Sequence, residues 1–136
     1  MGGTGETYPD RYEAARYGVF ETTVTDNFIH YIRPQENGSH YKTRELEIGK
    51  KGSVGLFVTP YNMKDFSFNA SHISTRALTE TKHDFELVNE HKTYLNLDWR
   101  FNAISESTER DTPENKRLLK DKTFSFGFVI TPQQAE

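Results

Sequence analysis

The sequence predicts an all-β fold, an antiparallel β-sandwich with one short helix. Two stretches carry that reading. Leu95, Leu97, Trp99 and Phe101 alternate with Asn96, Asp98, Arg100 and Asn102, and Phe124, Phe126, Phe128 and Ile130 alternate with Ser125, Gly127, Val129 and Thr131. Period-two alternation puts one set of side chains on each face of a strand. The third observation is composition: aromatic residues reach 13%, with ten Phe and seven Tyr, in a chain that is only 34% hydrophobic. Aromatic side chains suit a pleated, half-buried surface. Turn signals recur every eight to twelve residues or so, which is the spacing of a sandwich of short strands.

The chain in order reads as follows. Residues 1–16 are a polar, turn-rich entry segment in which Asp10 could cap a short helical turn. Residues 17–132 form the sandwich, and 133–136 are a tail. Tyr17–Val24 and Phe28–Arg33 read as strands, the second buried on both faces with His30 as a hydrogen-bonded core residue. Asn37-Gly38 then makes a turn, since both residues accept positive φ at little cost. Tyr41–Ile48 is the return strand, with Leu46 and Ile48 inward. Arg33, Glu36, Arg44 and Glu45 around this hairpin read as a solvated ion-pair network. Ser53–Val58 is a strand ended by Pro60, and Asp65–Ala70 alternates apolar and polar. Ser74 is placed as an N-cap with Ile73 and Leu78 in staple positions, which predicts a helix over 75–81. Phe85–Val88 is a short strand, Trp99 belongs to the core, and 104–122 is a long polar loop. Pro132 closes the last strand.

One domain is expected for 136 residues, enough to bury a core. The net charge is −3 with both signs interspersed, so no basic patch points to nucleic acid and no basic amphipathic run to a membrane surface. No apolar run approaches the ~18 residues a bilayer requires. No positively charged start with an apolar stretch behind it suggests a signal peptide. The absence of cysteine excludes thiol chemistry and disulfides. The five His, at 30, 40, 72, 83 and 91, show no metal-ligand spacing. No Gly-x-Ser-x-Gly elbow or phosphate-cradling loop is present.

Several ordered motifs carry a resemblance. They are Tyr8-Pro9-Asp10-Arg11, Arg33-Pro34-Gln35-Glu36-Asn37-Gly38, Thr43-Arg44-Glu45-Leu46, Phe66-Ser67-Phe68-Asn69-Ala70-Ser71, Leu78-Thr79-Glu80-Thr81-Lys82-His83 and Tyr94-Leu95-Asn96-Leu97-Asp98. Together they closely resemble the C-terminal, small-chain domain of the large β-galactosidases of glycoside hydrolase family 2, of the LacZ type, over roughly residues 5–131. That resemblance implies a partial galactose-mutarotase-like supersandwich, here its second half or so, with some edge strands lacking their natural partners. Since the family's domain normally begins upstream of Tyr8, Met1-Gly2-Gly3-Thr4-Gly5 is expected to be an abrupt entry into a piece of a longer chain.

The functional consequence is an expected absence of catalytic residues. Glycoside hydrolysis needs two carboxylates either about 5 Å or about 6.5–9.5 Å apart. Twenty acids make chance pairs certain. The resemblance implies instead that both catalytic Glu and the magnesium and sodium sites lie in other domains of the parent. The catalytic barrel there needs about 200 residues or more and a βαβα pattern, neither of which this chain has. No cofactor is therefore expected here. What the family's domain contributes is a loop over the sugar pocket that is glycine-rich and carries a Trp stacking on the sugar. Here the corresponding segment, 103–113, has lost the glycines and the Trp. Ser107, Glu109 and Arg110 are the substrate-binding candidates, with Arg110 standing where the Trp would be; a guanidinium can both bond hydroxyls and stack.

The expected partners are the remaining domains of the parent hydrolase and its β-galactoside, with a homo-oligomer permitted by exposed edges. The compartment is left open between cytoplasm and periplasm. Two other classes stay in view: a stand-alone carbohydrate-binding module, which needs an exposed aromatic platform, and an aldose 1-epimerase, which needs a His–carboxylate pair in a cleft.

Overall fold

The computed structural model describes residues 5–9, 16–100 and 123–134. The short helical turn expected at Asp10 and the loop at 104–122 lie outside them. Among the described residues, strands β1 (His40–Thr43), β2 (Leu46–Ile48), β3 (Val54–Tyr61), β4 (Phe66–Ser71), β5 (Tyr94–Asp98) and β6 (Gly127–Gln134) are joined by a single helix α1 (Thr75–Glu80) and a 3-10 turn at Asp84–Glu86. Among the described residues the strands make two antiparallel sheets, ordered β1-β4-β5 and β2-β3-β6. Phe66 and Phe68 from one sheet meet Leu46 and Val58 from the other, with Ile48, Leu95, Leu97 and Phe128 packed around them. This is the sandwich that the alternation predicts, in partial form.

The predicted return strand 41–48 divides between the two sheets. β1 pairs with β4 and β2 with β3. The register shifts between His40 and Thr43, and Lys42 takes φ 57°. A bulge of this kind bends a strand and lets it change sheets. Arg44 and Glu45 are the exposed step between the layers. They form no ion pair with Arg33 or Glu36 among the described residues, so the expected network does not form there.

The strands expected at 17–24 and 28–33 do not form. Thr23 and Asp26 close a turn on each other, with Asp26 N–H donating to Thr23 Oγ1 at 3.0 Å. Ile29 N–H donates to the Asn37 side chain at 2.9 Å rather than to a neighbouring strand. With its amide committed to a side chain, the segment has no ladder to join, and Ile32 is left 94% exposed. His30 is correspondingly a surface residue, not a core one. Asp84–Glu86 is a 3-10 turn instead of part of a strand because Glu86 reaches back to accept from His83 N–H at 3.1 Å.

Two prolines sit inside strands that the sequence reading ends at them. Pro132 lies on β6, an edge strand among the described residues, and pairs with Leu56. Pro60 pairs with Phe128 beyond the stretch 56–58 that β2 covers. In both places β3·β6 pairing continues where a neighbour is missing on one side, the setting in which a strand tolerates proline. Phe124 and Phe126 precede β6 and remain about half exposed, so of the predicted Phe124/Phe126/Phe128/Ile130 face only Phe128 packs on the core. Trp99 is half-buried just past β5, stacked on Phe124 at 4.7 Å. The helix matches expectation: Ser74 Oγ accepts from Ala77 N–H at 3.2 Å as its N-cap.

Candidate functional site

All six residues of β4 are buried. Phe66, Phe68 and Ala70 face the sandwich core, and Ser67, Asn69 and Ser71 point the other way. Register extends that second face onto β5, where Ser67 lies opposite Asp98, Asn69 opposite Asn96 and Ser71 opposite Tyr94. Cross-strand partners share a face, so the sheet carries a polar side away from the core.

That polar face is roofed by segment 34–39 and walled by α1. The amide Nδ2 of Asn69 donates to the Asn37 carbonyl. Asn37 in turn donates to Gln35 O at 3.1 Å and accepts from Ile29 N–H. Gly38 takes φ 66°, the left-handed turn that Asn37-Gly38 predicts, and its carbonyl accepts from Asn27 Nδ2 at 2.8 Å. His40 Nε2 meets Asn27 Oδ1 at 2.7 Å while its ring stacks on Phe68. Burial pushes the His40 imidazole down to about 4, so it is neutral and donates from Nε2.

Residues 6–8, read from the sequence only as part of a polar entry, belong to this layer. Thr7 N–H donates to Ser39 O at 2.7 Å, and Tyr41 N–H donates to Thr7 Oγ1 at 2.8 Å. Glu6 accepts from Gly38 N–H at 3.0 Å and from the Tyr31 hydroxyl. Tyr8 is buried, and its hydroxyl is pushed above its ordinary range by that burial and by Glu6. The Tyr8-Pro9 motif was the available signal.

On the other side, Glu90 fixes the start of α1. It accepts Ser74 N–H at 2.9 Å and the Tyr94 hydroxyl at 2.6 Å. Hydrogen bonds from Ser74 and Tyr94 hold its carboxyl down to about 2.

Between roof and wall lies a cleft of about 460 Å³. Its polar lining includes Glu36, Asn69, Ser71, Asn96 and Asp98, and its apolar lining Pro34, Ile73 and Leu78. Burial raises the Asp98 carboxyl, and the charge of Glu36 raises it further. Glu36 accepts the Ser39 hydroxyl at 2.8 Å. Among the described residues, the Asp98 carboxyl and the Asn96 side-chain amide make no hydrogen bond. No group of three or more metal-binding side chains is assembled among them either. The sequence reading named none of these residues as a site, because β4 and β5 look like ordinary alternating strands until their register is known.

Ser107, Glu109 and Arg110 lie outside the described residues. One His–carboxylate pair is present among those described, His30 Nδ1 with Asp84 Oδ2 at 2.8 Å, but the His30 side chain is 71% exposed and the pair lies outside that cleft. Arg100, just past β5, forms an ion pair with Asp65 Oδ1 at 3.0 Å and donates to its backbone carbonyl at 3.1 Å, tying the start of β4 to the end of β5.

Comparison with known proteins places these observations. The family model "Beta galactosidase small chain" matches residues 2–130. The chain is 32% identical over 128 residues to a β-galactosidase of Actinobacillus pleuropneumoniae, covering 94% of this chain and 12% of that protein. It is 37% identical over 128 residues to a β-galactosidase of Staphylococcus xylosus, covering 94% of this chain and 13% of that protein. With a β-galactosidase of Kluyveromyces lactis the identity is 29% over 128 residues, again 94% of this chain and 12% of the relative. The chain thus spans about an eighth of the length of the curated relatives it matches. It belongs to the β-galactosidase small-chain family.

Proposed function

We propose that this chain is a non-catalytic C-terminal domain of a β-galactosidase-like hydrolase that removes terminal β-D-galactosyl residues. The observation that carries the reading is one of proportion. The match takes in 94% of the chain and only 12% of the relative. Most of each relative's length is left to hold the chemistry, and the domain's part is to support the fold and wall the sugar pocket. In this reading the loop at 104–113 reaches the pocket, with Ser107, Glu109 and Arg110 touching the sugar. Magnesium and sodium belong to the parent's other domains, and the sandwich is the galactose-mutarotase-like kind. Exposed apolar side chains such as Val54, Ile130 and Phe126 are then surfaces for those other domains or for a second copy of the parent.

The test is hydrolysis of a nitrophenyl β-galactoside by the purified chain alone and after mixing with the remainder of a small-chain-deleted parent. The reading expects no turnover by the chain alone and recovery of turnover in the mixture. Turnover by the chain alone, abolished by replacing one of its own carboxylates, would overturn it.

A further inference from the structure

We propose that the cleft between segment 34–39, α1 and the polar face of β4-β5 is a binding site for a neutral polyhydroxylated ligand of monosaccharide size. The inference stands on the cleft's own groups and does not depend on the hydrolase reading.

Its volume of about 460 Å³ falls in the range of small-molecule sites. Its lining is unusual for such a site in its polarity. Asn69 gives one Nδ2 proton to the Asn37 carbonyl and offers Oδ1. Ser71 Oγ accepts from Ile73 N–H at 3.0 Å, which leaves its hydroxyl proton to donate. Among the described residues nothing bonds either end of the Asn96 side-chain amide, and Asp98 offers two carboxylate oxygens. Acceptors and donors are therefore both present. Hydroxyl groups both donate and accept, and a vicinal diol presents two donors side by side to a carboxylate. Leu78, with Ile73 and Pro34, supplies an apolar wall for the C–H face of a sugar ring.

The same inventory weighs against other ligands. An anion would meet Glu36 and Asp98. A nucleobase would find no aromatic lining residue to stack on. A transition-metal ion would lack a third His, Cys, Asp or Glu among the described residues. The Asp98 carboxyl, raised by burial and by the charge of Glu36, fits a partly buried acceptor.

The experiment uses the chain as it is, isotope-labelled, and follows the side-chain amide resonances of Asn69 and Asn96. Methyl β-D-galactopyranoside and methyl β-D-glucopyranoside are titrated in separate arms, with arginine and calcium chloride as two more. We expect saturable shifts with at least one glycoside at a Kd in the millimolar range. Asn96→Ala, an exposed position that leaves the fold intact, should weaken the binding at least several-fold, as should Asp98→Asn. Saturation by arginine or calcium with none by either glycoside would overturn the assignment and make the cleft a cation receptor. Silence in all arms, or glycoside shifts untouched by both variants, would overturn it as well. None of these outcomes bears on turnover of a nitrophenyl galactoside, so failure here and failure of the hydrolase reading are separable.

Discussion

His40 Nε2 lies 2.7 Å from Asn27 Oδ1, and the contact joins the start of β1 to a turn with no strand of its own. Asn27 spends its other end on Gly38 O. The side chain of His40 is fully buried, and among the described residues its Nδ1 has no partner. Protonating it would place a charge where no described residue accepts it.

The first prediction follows from that burial. The His40 pKa falls from 6.5 to about 4 on folding, so the unfolded chain binds the proton more readily. The contribution is whole above pH 6.5 and is lost as pH falls from 6.5 towards 4, amounting to about 3 kcal/mol. Urea unfolding across that window should show the decline, and His40→Gln should flatten it. An equal slope in the variant would show that other groups are responsible.

Gly38 should not tolerate a side chain. It holds φ 66°, and a Cβ there would lie 2.5 Å from the Asn27 carbonyl oxygen. The left-handed conformation alone costs an L-residue about 1–2 kcal/mol, and the contact with fixed backbone adds to it. Gly38→Ala should therefore lower stability by at least about 2 kcal/mol in denaturant melts. A loss near zero would mean that Asn27 and its turn shift freely.

Glu90 should control the wall of the cleft more than the core. Its carboxyl is held down to about 2, so the contribution is present above its ordinary value near 4.5 and is lost as pH falls from there. Glu90→Ala removes the acceptor for Ser74 N–H and the Tyr94 hydroxyl. Amide exchange at Ser74 and Ala77 should quicken several-fold while that of β3 stays the same. Uniform quickening throughout the chain would indicate a global role instead.

Two phenylalanines with the same sequence signature should behave differently. Phe66 is 0% exposed at the centre of the core, whereas Phe126 is 48% exposed. Phe66→Ala should cost roughly 3–5 kcal/mol. Phe126→Ala in the isolated chain should cost less than about 1 kcal/mol. Equal losses would place Phe126 in the core.

The loop at 104–113 is tested under the proposed function, in a full-length parent. If Arg110 contacts the sugar, Arg110→Ala in the full-length parent should reduce kcat/KM several-fold at unchanged thermal stability. Unaltered kinetics would remove both Arg110 and the loop from the pocket.

The sequence by itself determined whatever depends on neighbours along the chain. Ser74 caps α1 because its hydroxyl reaches the amide of Ala77 three residues on. Gly38 turns because it lacks a Cβ. The alternation in Phe66–Ala70 and Tyr94–Asp98 specified two strands with one apolar face each, and the ordered motifs specified the family. Tertiary structure decided what depends on partners far away. Whether Phe28–Arg33 became a strand rested on Ile29 N–H, which the Asn37 side chain claimed from eight residues off. Whether Tyr41–Ile48 stayed whole rested on which sheet offered each half an edge, and a bulge at Lys42 divided it. The cleft needed the most: Asp98 and Asn96 are ordinary polar strand positions until register sets them opposite Ser67 and Asn69 and a roof from 34–39 closes over them. Periodicity records which side of a strand a residue occupies. It carries no record of what lies across from that side, because the energy that chooses the neighbour comes from burial and hydrogen bonds made between distant segments.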